Sequence, residues 1–239
     1  MHRFITRIFL ALSLTMGNSH AVFVEFGDVF PSLLEAQSAL NTADMTIDSS
    51  MLTLKQDYNV SVFFISEGAG YKNSFGWYDA STNPTNVDNR YMLWENASGA
   101  GEGLQGGGSL NTGDSIELGN ISAGTTLGFF ITANGFFTGS SGTHFFTDEV
   151  YNPDDMQHVI AGVYPEFGIV ALGFEDIYGG GDKDYNDLLV AIDFGVLNTR
   201  QLLSAITAVP APNALLLFLS SLVLLLITRY RHSTHSRAK

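Results

Sequence analysis

The chain contains no cysteine among its 239 residues. Disulfides, thiolate nucleophiles and thiolate metal sites are therefore excluded, although export is not. Basic charge is scarce and sits mostly at the ends. Arg3 and Arg7 lie near the start, Arg229, Arg231, Arg237 and Lys239 near the finish, and only Lys55, Lys72, Arg90, Lys183 and Arg200 in between. All 24 acidic residues fall between Glu25 and Asp193, so residues 22–213 set 24 negative charges against five positive ones, a net −19. Such a surface repels nucleic-acid phosphates and attracts cations, which argues against nucleic acid as a partner. The long hydrophobic run of a transmembrane span, about 20 residues, is also missing. So is a Gly-x-Ser-x-Gly nucleophile elbow.

What is present at the ends looks like addressing. "MHRFITRIFLALSLTMGNSHA" has a basic start, a short apolar run from Ile8 to Met16, and small residues at Ser19 and Ala21. This is the pattern of a secretory signal peptide, residues 1–21, cleaved after Ala21; an uncleaved anchor helix is the alternative. "VPAPNALLLFLSSLVLLLITRYRHSTHSRAK" places Pro210 and Pro212 before a short apolar helix, Ala214 to Ile227, and a basic tail. The tail would stay cytoplasmic under the positive-inside rule. The layout resembles the PEP-CTERM sorting signal of Gram-negative bacteria that export exopolysaccharide, with Ala211 where glutamate is usual. The resemblance implies processing by an exosortase, a membrane transpeptidase, after tethering in the inner membrane. A plain C-terminal anchor is the other reading.

Between the ends, length favours one main domain. Leu33, Leu34, Ala36, Ala39 and Leu40 follow Pro31 at helical spacing, which predicts a short helical lead-in over 22–44. From residue 45 to 196 the pattern is strand-like: 51–56, 59–66, 74–80, 114–121, 125–133, 157–164, 167–176 and 188–194, separated by Asn, Asp, Gly and Pro. The expected fold class is all-β, a β-sandwich of jelly-roll-like type. A linker or short helix follows at 197–208, and the sorting signal with its apolar helix occupies 209–239. The glycine-rich run 99–109 matches a dinucleotide fingerprint in letters only, with no strand before it and no helix after it, and reads as a surface loop.

The chemistry concentrates in "GFEDIYGGGDKDYNDLLVAID", residues 173–193. Glu175, Asp176, Asp182, Asp184 and Asp187 meet one basic residue, Lys183. Two carboxylates about 4 Å apart repel by roughly 4 kcal/mol near a protein surface. They must splay, take up protons, or share a cation. The apolar segments on either side pin both ends of the loop, which favours the cation. Alternating Asp182, Asp184 and Asn186 can converge when the loop curls, and an all-oxygen donor set points to Ca2+ rather than zinc. The run resembles the first half of an EF-hand loop, with Asp187 where that loop has glycine. Asp182, Asp184, Asn186 and Asp187 are the expected direct ligands, with Asp176 and Glu175 as further ligands or supporting groups.

"GFED…GGGDKDYNDLLV" also resembles the signature of the domain of unknown function 4114 of exported bacterial proteins. Three further segments carry the similarity in order: "VFFISEGAGYKNSFGWYD" (62–79), "LGFFITANG" (127–135) and "YNPDDMQHVI" (151–160). Over 45–196 the resemblance implies a β-sandwich with a calcium site and no established activity. Glu67 and Asn73 either complete the site or hold a turn. His158 reads as a satisfied core histidine, Asp154 and Asp155 as turn residues, and Trp77, Tyr78, Phe136, Phe137, Phe145 and Phe146 as packing. The expected protein is an exported, non-catalytic, calcium-binding component of the cell surface or extracellular matrix, linked to exopolysaccharide or biofilm. A carbohydrate-binding module is the alternative. An enzyme acting on polysaccharide through Glu67, Glu175 or Asp176 is a third reading.

Overall fold

A computed structural model describes residues 46–48, 51–100 and 107–207. The expected signal peptide, helical lead-in and sorting signal, and most of the glycine-rich loop, lie outside the described residues. Among the described residues, ten strands form two antiparallel sheets. They are β1 (Thr46–Ile47), β2 (Tyr58–Ser66), β3 (Ser74–Asp79), β4 (Arg90–Trp94), β5 (Ser115–Ile121), β6 (Leu127–Thr132), β7 (His144–Phe146), β8 (Val159–Tyr164), β9 (Ile169–Phe174) and β10 (Leu188–Asp193). The larger sheet has the order β1-β8-β9-β10-β2-β5 and the smaller one β4-β3-β6-β7. A single helical turn, Gly135–Thr138, follows β6, and the helix α1 (Val196–Thr207) follows β10.

The central strands read as nearly continuous apolar runs because both of their faces are covered. All of IVALGF in β9 and LLVAID in β10 is buried. Period-two alternation sends Val170, Leu172, Phe174, Val190 and Ile192 to the inter-sheet side, and Ile169, Ala171, Leu189 and Ala191 to the other, where they cluster with Phe63, Ile65 and Ile160. The sheets meet through Phe75 of β3. Its ring stacks on Trp94 and Phe129, centroids 5.6 and 5.9 Å away, and takes Phe174 of the facing sheet edge-on at 5.5 Å. Phe75 is fully buried, and an aromatic ring buried this way stabilises by about 2–3 kcal/mol.

These facing sheets make the fold a β-sandwich. The jelly-roll detail is not met: β8, β9 and β10 follow one another in the same sheet instead of alternating between sheets. Segment 51–56 forms no strand. Leu52 and Leu54 are buried, but pairing is reduced to a bridge between Thr53 and Thr126. Three strands, β1, β4 and β7, were not among the expected runs. Residues 197–208 are not a free linker in their first half, since Asn198, Thr199 and Leu202 of α1 are buried. The Asn198 amide closes this contact by accepting from Lys55 N and Gln56 N, both at 2.9 Å, and donating to the carbonyls of Gln56 and Phe194.

Candidate metal centre

One end of the sandwich collects the polar residues. Strand β2 leaves it at Glu67, β3 enters at Asn73, β4 leaves toward Ser98 and Gly99, β6 leaves toward Asn134, and the β9–β10 hairpin spans it from Glu175 to Asp187. Gly68 N–H donates to the Asn186 carbonyl at 3.0 Å, which ties the β2 exit to the β10 entry.

The hairpin winds through left-handed backbone. Five of the seven residues from Gly179 to Tyr185 have positive φ: Gly179, Gly180, Gly181, Lys183 and Tyr185. Glycine takes this region freely, but an ordinary L-residue resists it by about 1–2 kcal/mol. Lys183 at φ 63° and Tyr185 at φ 53° stand between Asp182, Asp184 and Asn186, so the alternation visible in the sequence becomes a convergence of side chains. Carboxylate oxygens of Glu175, Asp182 and Asp184 lie within 4.8 Å of one another. Glu175 is buried, Asp184 half-buried and Asp182 exposed, so the group opens from the sandwich to solvent. Gly181 matters for a second reason. A Cβ there would run into Glu175 Oε2, so glycine gives the loop room to close over that carboxylate.

Strand alternation carried past Phe174 separates the adjacent Glu175 and Asp176. Glu175 Oε1 accepts from Tyr185 N at 2.8 Å within the outer group. Asp176 turns toward the smaller sheet, where Asn73 Nδ2 donates to its Oδ2 at 2.6 Å. Asp187 stays with Asp176, its Oδ2 accepting from Asp176 N at 2.8 Å. Asn186 donates its side-chain amide to Asp184 and its backbone N–H to Asp184 Oδ1 at 3.2 Å. Of the six residues proposed from the sequence, three thus converge in the outer group, Asn186 braces one of them, and Asp176 and Asp187 form an inner pair.

The electrostatics agree with a site that wants positive charge. Burial pushes Glu175 up to about 7; the Tyr185 N–H opposes the rise and the charges of Asp187, Asp182 and Asp184 add to it. Burial also raises Asp184, with Asn186 opposing and Asp182 adding. In the inner pair, burial and the Asp176 charge lift Asp187 to about 7, and burial raises Asp176. Burial brings Glu67 to about 7 as well, against the hydrogen bond from Gly99.

Neighbouring residues divide into frame and rim. His158 is fully buried, stacks on Phe145 at 3.8 Å, and has both ring nitrogens engaged, Nδ1 with the Glu175 carbonyl and Nε2 with Asp154. It is a satisfied core histidine, as its apolar surroundings in the sequence suggested. Asp154 does more than turn the chain. Its Oδ2 also accepts from Gly179 N at 2.7 Å and so anchors the glycine run. The Asp154/His158 spacing of four is the one trace of this in the sequence. Tyr78, Phe145 and Phe146 are core, whereas Phe136 and Phe137 are exposed, with the Lys72 ammonium 5.7 Å from both ring centroids.

Among known proteins, no curated protein and no solved structure matches the chain. Residues 121–195 match the family model described as a domain of unknown function (DUF4114). The matched span runs from the end of β5 through the β9–β10 hairpin and leaves out the 62–79 element that carries Glu67 and Asn73. Over β6 to β10, including the whole acidic hairpin, the chain is similar to that family.

Proposed function

We propose that this is an exported, non-catalytic protein of the cell surface or extracellular matrix, in which Ca2+ bound by the β9–β10 hairpin fixes one end of a β-sandwich. The observation that carries the reading is the meeting of Glu175, Asp182 and Asp184 in a left-handed loop, where neither Lys183 nor any other basic side chain among the described residues forms an ion pair with them. The donor set fits calcium: every candidate atom is a hard oxygen, and carboxylates on a curled loop suit its six to eight ligands. Asn186 would hold Asp184 in place, and Gly181 would give Glu175 room. Calcium would supply charge neutralisation and a link between β9 and β10, so binding and stability are coupled.

Export, exosortase-type processing at Pro210–Pro212 and association with exopolysaccharide rest on the two terminal segments alone. Titration of the full chain with calcium, magnesium and zinc tests the metal. Calcium is expected to bind at least tenfold more tightly than magnesium, and a preference for zinc would contradict the oxygen-only site. N-terminal sequencing of protein recovered from the cell surface tests the address: a start at Val22 is expected, and an intact Met1 would contradict it.

A carbohydrate-binding module is the second reading. Its support is the exposure of Tyr71, Phe136, Phe137 and Tyr178 around the acidic end, since aromatic faces stack on sugars. Retention on acidic or neutral glycans, lost on Phe136→Ala plus Phe137→Ala, would favour it. A calcium-induced stabilisation with no response to any glycan would count against it.

A further inference from the structure

We propose that the outer edge of β4 is a docking surface for a second copy of this chain. Two β4 strands pair antiparallel about a two-fold axis and join the smaller sheets of both copies into one. Such pairing needs the sandwich alone and does not involve the calcium site.

An edge strand offers a row of unpaired backbone N–H and C=O groups, and monomeric proteins blunt it with charge, bulges, proline or brevity. Among the described residues the sandwich has four such edges, β1 and β5 in the larger sheet and β4 and β7 in the smaller. Three are blunted. β1 has two residues and β7 three. β5 exposes Glu117 and breaks register opposite Val60 and Ser61, where Gly119 takes φ 86°. β4, RYMLW, is different. It holds no charge after Arg90, and Tyr91 and Met92 are 53% and 50% exposed. Its one break in register falls beyond Met92, so Arg90, Tyr91 and Met92 pair regularly with Tyr78, Trp77 and Gly76. Tyr91 is held by stacking on Trp77, centroids 4.8 Å apart, and Val87 ahead of the strand is exposed as well. An open edge selects another strand as its partner, since main-chain hydrogen bonds supply the contact.

Charge selects the second copy. Arg90 opens the strand and Glu95 follows its end. Arg90 is half-buried, its guanidinium carbon 5.4 Å from the Phe130 ring centroid, and its Nε and Nη1 have no hydrogen-bond partner. Glu95 is exposed, and among the described residues neither side chain forms an ion pair. Antiparallel pairing of two identical strands lays the Arg90 end of one along the Glu95 end of the other. The two-fold axis repeats that contact, so both ends gain a partner of opposite sign. Asp88, two residues before Arg90, lies outside the paired stretch. In a body of net charge −19 over residues 22–213, β4 is thus an edge where two copies meet with opposite charges aligned.

Sedimentation equilibrium of the full chain in detergent, with chelator present, tests the pairing. A dimer is expected at roughly 0.1 mM chain, with amide hydrogen exchange at Tyr91 and Met92 slower than in dilute protein. Met92→Lys and Glu95→Arg should each raise the dimer dissociation constant at least tenfold. Arg90→Glu combined with Glu95→Arg should recover most of that loss, because the exchanged charges face each other again. Where Arg90→Glu does not fold, Met92→Lys and Glu95→Arg decide alone, since both positions are exposed. A monomer at that concentration overturns the pairing and leaves the edge to a strand of another protein or to none. A dimer that Met92→Lys and Glu95→Arg leave unchanged also overturns it, and assigns the contact to the C-terminal segment or another face.

Discussion

Lys183 and Tyr185 adopt a backbone that glycine would adopt more cheaply, and they do so between the carboxylates of the hairpin. Lys183→Gly should therefore be more stable than Lys183→Ala by about 1 kcal/mol in thermal unfolding. Both lose the ammonium, so charge cancels from the comparison; the opposite order would remove the left-handed turn. Gly181→Ala should destabilise by about 1–3 kcal/mol and weaken calcium binding at least tenfold, because its Cβ meets Glu175 Oε2. Calorimetry on the variant checks both. The alternation of Asp182, Asp184 and Asn186 is legible in the sequence, and so is the pinning of the loop by apolar neighbours. The parting of Glu175 from Asp176 is not, because it depends on β9 ending at Phe174. Nor is the burial of Ser98, which the path out of β4 brings to this end of the sandwich and which has no local pattern to mark it.

Among elements, the long central strands are the easiest to read. β2, β9 and β10 are runs of apolar residues bounded by turn residues, and register follows from burying both faces. Short edge strands lack that signal. β4 carries exposed Tyr91 and Met92, and β7 has three residues, so neither stands out from a loop until its partner is in place. The docking of α1 is likewise invisible locally, since Asn198 meets residues 142 and 143 positions away. Asn198→Ala removes an amide that satisfies two part-buried backbone donors and two carbonyl acceptors, and should cost about 2–3 kcal/mol in denaturant unfolding. A change under 0.5 kcal/mol would mean that the helix is only loosely seated.

At the scale of the whole molecule, acidic burial sets the response to pH. Without a bound cation, Glu67, Glu175 and Asp187 are raised to about 7 and Asp193 to about 6, from ordinary values of 4.5 for glutamate and 3.8 for aspartate. A carboxyl raised in the folded state contributes stability that is full below its unfolded value and is lost as pH climbs through the folded one. His144 acts the other way. Burial and Arg90 lower it from 6.5 to about 4, so its contribution is present above 6.5 and lost as pH falls through 4. Four carboxyls outweigh one imidazole. The chelated protein should melt roughly 5 °C or more higher at pH 5 than at pH 8, read by calorimetry, and saturating calcium should flatten that slope by holding the carboxylates ionised. A chelated protein most stable at pH 8 would contradict the buried-carboxyl balance.

The most direct measurement of the central claim is thermal unfolding of the full chain at pH 7.5, with 1 mM calcium and with chelator, for wild type and for Asp182→Asn plus Asp184→Asn. The expected result is a calcium-dependent rise in the wild-type melting temperature of about 5 °C or more, as follows when a ligand binds only the folded state, and a rise at least halved in the double variant. Equal melting temperatures for the wild type with calcium and with chelator would contradict the assignment of the hairpin as a calcium site.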